Sequence, residues 1–207
     1  HRNYWRKVSS QVLDLGPLYL NARLGWVVPD YVPEDKLDSI TDLKKPAVVH
    51  RLDGRIYGID PGSGLMQASE KALHGYSLKD YSLVASSGAG MTAALSRAIR
   101  RHRWIVVTAW SPHWIFDKWH LRYLRDPKHL LGDREEIHAI ARRDFNRRFG
   151  PDLTAFITRM FIPMPELQQA MLDARDNGVE QAVTTYIHDH PNRIRYWVTG
   201  DPAPAAS

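Results

Sequence analysis

One regular alternation, between residues 54 and 110, restricts the possible folds more than any other feature of the chain. Residues 55–60 have strand composition, and Pro61-Gly62-Ser63-Gly64 is a turn. Residues 65–76 place Leu65, Ala68, Ala72 and Leu73 on one helical face. A second strand is predicted over 81–85. Ser86-Ser87 can cap a helix over 88–102 with Met91, Ala94, Leu95, Ala98 and Ile99 as its apolar stripe. Residues 104–109 carry no charge, as expected of a strand buried on both faces. The order β-α-β-α-β predicts an α/β fold with a parallel sheet and helices packed on it.

Around this unit the signals are shorter. Residues 2–10 read as a short helix and 13–17 as a turn. Residues 23–28 read as a strand that stops at Pro29. Ser39, with Asp42 three residues later, starts a short helix. After Trp110, a helix begins within 111–114, and 120–124 and 137–141 are strand candidates. Beyond Gly150 only helices fit, over 152–161, 165–177 and 179–188, with Gly178 as a stop. Residues 201–207 form a flexible tail.

Composition excludes several classes. Seven Trp, nine Tyr and five Phe among 207 residues supply too much apolar area for a disordered chain. No run reaches the roughly 20 apolar residues of a membrane-spanning helix. Zero Cys excludes disulfides and thiolate metal sites. The net charge of +5 is read as a solvated surface, not as a nucleic-acid footprint. Its densest cluster, 97–103, ends a helix, where cations complement the helix dipole. His188-Asp-His190 and the scattered histidines lack metal-site spacing, and no Gly-x-Ser-x-Gly elbow is present. These residues give no sign of a metal or cofactor site or of an activated nucleophile.

Two stretches can carry binding chemistry. In Gly58-Ile-Asp-Pro-Gly-Ser-Gly-Leu-Met66 a strand runs through a Gly-rich turn into a helix N-terminus. Free N–H groups at Gly64 and Leu65 suit an anion there; the plain alternative is a tight connection. In Val106-Val-Thr-Ala-Trp-Ser-Pro-His-Trp114 a buried strand ends on Trp110. An indole face attracts a cation, and a quaternary ammonium in particular. Trp104 and Trp114 read as core. Gly64 follows the first strand of the unit and Trp110 ends the third, so both belong at the carboxyl edge of the sheet, where α/β folds bind ligands. An anion site beside an aromatic cation site describes a receptor for a small zwitterion.

These stretches resemble the glycine betaine/proline betaine binding proteins of bacterial ABC importers. So do Val27-Val-Pro-Asp-Tyr31, Ser39-Ile-Thr-Asp-Leu-Lys44, Leu121-Arg-Tyr-Leu-Arg-Asp-Pro-Lys128 and Ile137-His-Ala-Ile-Ala-Arg142. The resemblance implies a two-lobed, type II periplasmic-binding-protein fold. Residues 46–139 would form lobe II, and 1–45 with 140–200 part of lobe I. The N-terminal part of lobe I, which in the family holds two further cage tryptophans, is expected to be absent from this chain. By the same resemblance Trp110 would be one wall of an aromatic cage, and Gly64 and Leu65 the backbone donors to the ligand carboxylate. His1 would be a further carboxylate contact, and Tyr31 a cage wall used by choline-binding relatives. The implied partners are glycine betaine, proline betaine, choline or carnitine, and a membrane permease, with a periplasmic or cell-surface location and no signal segment in this chain. A choline/carnitine receptor, or a sensing domain for another small carboxylate, remains open on the residues alone.

Overall fold

The computed structural model describes residues 5 and 8–201. The chain divides into two compact units, 23–134 and 1–22 with 135–207.

The 23–134 unit is built on a five-stranded arrangement. Its strands are the second half of β1 (Val12–Pro29), β2 (Arg55–Tyr57), β3 (Ser82–Val84), β4 (Val107–Ser111) and β5 (Leu121–Tyr123), in the order β3-β2-β4-β1-β5. The three strands of the alternating unit are parallel, as predicted, with Tyr57 level with Val107. β1 then runs antiparallel to both β4 and β5, so the sheet is mixed. Four helices pack on it: α1 (Pro46–Leu52), α2 (Gly64–Gly75), α3 (Gly88–Arg100) and α4 (Ile115–Lys118).

Alternation along β1 explains its unbroken apolar run. Trp26 and Val28 point into one core with Ile40, Leu43, Ile56 and Tyr76. Val27 points into the other with Leu65, Met66, Met91, Leu95 and Val107. Each of these three β1 side chains is fully buried, which contributes about 1.5–3 kcal/mol apiece. The Trp26 indole N–H donates to Ser69 Oγ at 2.9 Å, so the buried polar atom has its partner. Gly25 faces the Tyr123 ring, where a Cβ would lie 2.5 Å from Cδ1.

Residues 23–45 therefore pack with 46–134, and the chain divides after residue 22 instead of at the expected 45/46 boundary. The predicted short helix after Ser39 is a single 3-10 turn, Ile40–Lys44, with a complete capping box: Thr41 N–H donates to Ser39 Oγ and Ser39 N–H to Asp42 Oδ2.

In the other unit the first half of β1 pairs antiparallel with β6 (Glu135–Arg142). The expected turn at 13–17 is instead a disturbance within the strand. Gly16 takes φ +100°, its N–H donates to Asp14 Oδ1 at 2.9 Å, and the register shifts between Asp14 and Pro17. The helices are α5 (Phe145–Phe149), α6 (Pro151–Arg159), α7 (Met164–Asn177), α8 (Val179–Asp189) and α9 (Pro191–Thr199). Glu166 on α7 holds Arg193 on α9, and Trp197 is buried against Phe156 and Tyr186. The predicted helix over 2–10 lies largely outside the described residues; Ser9–Gln11 form a 3-10 turn.

Candidate functional site

Parallel β2, β3 and β4 bring their carboxyl ends to one edge of the 23–134 unit. Beyond β2 the chain stays tied to β3: Gly58 N–H donates to Val84 O, and Ser86 N–H to Ile59 O. The turn after Ile59 closes with Ser63 N–H on Asp60 O, and α2 begins at Gly64. Ser63 is the cap, and its Oγ accepts the Met66 N–H at 3.2 Å. Gln67 N–H returns to Ser63 O. That leaves the N–H groups of Gly64 and Leu65 without an acceptor among the described residues. Two free donors at the positive end of a 12-residue helix can hold a carboxylate. A Cβ at Gly64 or at Gly62 would meet nothing within 4 Å, so this approach is open. α3 starts from the same edge, capped by Ser87 Oγ on Gly90 N–H at 3.0 Å.

Trp110 is the fourth residue of β4, level with Leu24 on β1. It is half-buried and packs on the same apolar cluster as Leu65 and Met66. Gly64, Leu65 and Trp110 are thus brought to one edge over one shared core. Trp104 and Trp114, expected in the core, are partly buried against the first and second clusters respectively.

One member of this edge escaped the sequence reading. The His113 ring meets Trp110 edge-on, centroids 4.5 Å apart, with only 6% of the residue exposed. Its Nδ1 accepts the Ile115 N–H at 3.2 Å, which puts the ring proton of the neutral form on Nε2. Burial pushes its pKa down to about 4. The imidazole is therefore neutral near pH 7 and sets no positive charge against the indole. The available signal was its place two residues before the start of α4, inside the Trp-Ser-Pro-His-Trp run.

Behind Trp110, Ser111 Oγ and the Tyr123 hydroxyl are 2.7 Å apart. The Tyr123 ring stacks on Phe116 and lies under the Arg23 guanidinium at 4.3 Å.

Two expected residues do not join this group. His1 lies outside the described residues. Tyr31 sits at the other end of the sheet. Its hydroxyl donates to Arg103 O at 2.6 Å and its ring stacks on His102 at 4.1 Å. Arg103 precedes β4, whereas Trp110 is near the strand's end. Seven extended residues separate them, on the order of 20 Å. β1 is antiparallel to β4, so the residues that follow Pro29 emerge at β4's amino end. Tyr31 is thus excluded from a cage with Trp110.

Residues 1–188 match the family described as the substrate binding domain of ABC-type glycine betaine transport systems. The chain belongs to this family. Among relatives, the glycine betaine/carnitine transport binding protein GbuC of Listeria monocytogenes serotype 1/2a (strain 10403S) is 37% identical over 149 residues, 70% of this chain and 49% of that protein. The match thus spans about half the length of that relative. Lactococcal OpuAC, solved closed around glycine betaine, superposes with a TM-score of 0.79 at 38% identity, covering 96% of this chain and 76% of that one. The glycine betaine/L-proline-binding protein ProX of Borrelia burgdorferi gives 0.75 at 30% identity, covering 95% and 73%. These superpositions carry the mixed α/β, periplasmic-binding-protein-like fold implied by the resemblance. No helix among the described residues is long and apolar enough to cross a membrane.

Proposed function

We propose that the chain is a solute receptor, with no catalysis of its own, that binds a quaternary ammonium zwitterion of the glycine betaine type and hands it to an ABC permease outside the cytoplasm. The supporting observation is the pairing, on one sheet edge, of the free Gly64 and Leu65 N–H groups with the face of Trp110. The donors would hold the carboxylate and the indole would face the methylated ammonium. A quaternary ammonium has no N–H to satisfy, so a π face is a suitable neighbour for it. Family membership and the glycine betaine in the lactococcal structure point the same way.

The free donors favour a carboxylate-bearing ligand over choline, which has only a hydroxyl to offer them. Calorimetric titration of the chain with glycine betaine, with choline as comparator, tests this. Saturable binding that prefers glycine betaine is expected. Trp110→Ala should weaken it about 5- to 30-fold, from about 1–2 kcal/mol of cation–π attraction. Tyr31→Ala should leave the affinity unchanged. Equal loss in both variants, or no loss in Trp110→Ala, would move the site elsewhere.

A further inference from the structure

The amino ends of β2 and β4 frame a groove of about 750 Å³ at the edge opposite Trp110. Five arginines line it, from four separate places in the chain. Arg51 comes from the last turn of α1, and Arg55 opens β2. Arg97 and Arg101 lie one turn apart where α3 ends, and Arg103 leads into β4. Asp53 is the one acidic residue in the lining. The floor includes Trp104, with the Arg51 guanidinium 5.7 Å from its ring centre. His50 and His102 complete the basic rim.

Several arginines elsewhere have carboxylate partners, while Arg23 and Arg148 lie against aromatic rings and Arg143 and Arg159 donate to backbone carbonyls. Arg122 faces Glu34, Arg125 pairs with Asp38, and Arg142 and Arg147 share Asp144. Arg193 pairs with Glu166, and Arg195 with Asp201. None of the five groove arginines has a carboxylate partner among the described residues. Arg97 and Arg101 alone could be ascribed to the negative end of the α3 dipole. Arg103 belongs to the same helix end, its N–H donating to Ala98 O, but that account does not reach Arg55, which opens β2. Five like charges gathered around a single carboxylate, Asp53, repel one another on balance. A concave wall of guanidinium forks is suited to phosphate oxygens, each fork able to give two parallel N–H bonds.

We infer that this groove is a binding site for a phosphate-bearing anion, separate from the zwitterion site and at the other end of the same strands. The shared chemistry is the phosphate oxyanion, supplied either by a soluble polyphosphate or by the headgroup of an anionic phospholipid. Two probes separate these sources: calorimetry with pyrophosphate, and flotation with phosphatidylglycerol vesicles against phosphatidylcholine vesicles, both at low salt. The chain is compared with Arg97→Glu/Arg101→Glu, with the milder Arg51→Gln/Arg55→Gln, and with Arg147→Glu/Arg148→Glu on α5 as a charge-matched control. Thermal midpoints verify that each variant is folded, and the Gln pair serves if the Glu pair is not.

Saturable pyrophosphate binding that falls at least tenfold in the groove variants, and less than threefold in the control, supports a soluble ligand. Flotation with phosphatidylglycerol alone, lost in the same variants and kept in the control, supports a headgroup. The inference is overturned if neither probe binds, if binding survives in the groove variants, or if the control loses as much.

Discussion

Replacing Gly64 by Pro separates folding from ligand binding at the candidate carboxylate site. Gly64 is the first residue of α2, with Ser63 as its cap. Proline is well accepted there, because its fixed φ suits the first helical residue and the lost N–H is one the helix does not use. The preceding residue must be extended, and Ser63 already is, at φ −71° and ψ 149°. The new side chain has room, since a Cβ at this position meets nothing within 4 Å. Stability should therefore hold, or rise by up to about 1 kcal/mol from a stiffer unfolded chain. What disappears is one of two free donors. A hydrogen bond to a charged group contributes about 1.5–3 kcal/mol, which is about 10- to 100-fold in affinity for a carboxylate ligand. Urea unfolding and calorimetry with glycine betaine read the two effects separately. An affinity within threefold of the parent, in a folded variant, would show that the Gly64 N–H does not hold the ligand. A stability loss above about 1 kcal/mol would show that the N–H is used within the fold.

Gly25→Ala should destabilise the chain by about 1–3 kcal/mol, because the Cβ would overlap a Tyr123 ring already fixed by Phe116, Arg23 and Ser111; the cost should shrink in a Tyr123→Ala background, measured by urea unfolding. Tyr31→Phe should cost about 0.5–1.5 kcal/mol of stability, from the lost bond to Arg103 O, with no change in glycine betaine affinity. His113 has a depressed folded pKa, about 4 against 6.5, so its contribution is complete above pH 6.5 and is lost as pH falls through that window. Between pH 7.5 and 5 the loss should be about 2 kcal/mol by this linkage, and His113→Asn should abolish that part of the slope in urea melts; parallel slopes would refute it.

The alternating unit was legible because its periodicities are long and its turns are punctuated by Gly and Ser. Of the three missed helices, α5 is a five-residue turn too short to show a periodicity, while α1 and α9 share a cause: each opens on a proline, Pro46 and Pro191. Read from the preceding side, proline marks an ending, yet at the first helical position it is a start. The turn signal at 13–17 was chemically real, since Asp14 does bond Gly16, but pairing with β6 absorbed it into β1. Strand order within the sheet was not legible at all. Nothing local says that β1 inserts beside β4, and that pairing decides both where residues 23–45 belong and which end of the sheet receives Tyr31. Gly64, Leu65 and Trp110 could be placed together because they required only that β2 and β4 be parallel. His113 could not, because its burial depends on how the chain folds back after Ser111.

Gly64, Leu65, Trp110 and His113 have a common electrical character. Backbone N–H groups, an indole face and a neutral imidazole carry partial charges and no formal ones. A zwitterion has two full charges of opposite sign and no net charge. Meeting it with an Arg and an Asp would require dehydrating two protein ions as well as the ligand, a cost that ion pairing often fails to recover. Fixed dipoles need no such dehydration and are already oriented by α2 and β4. The depressed pKa of His113 fits this scheme, since a protonated ring 4.5 Å from Trp110 would oppose a cation on the indole. Lowering the pH towards 4 should therefore weaken glycine betaine binding before the chain unfolds, and His113→Asn should hold its affinity across the same range. Calorimetry at pH 7 and pH 4 in both proteins checks this, and an identical pH dependence in the two would remove His113 from the account.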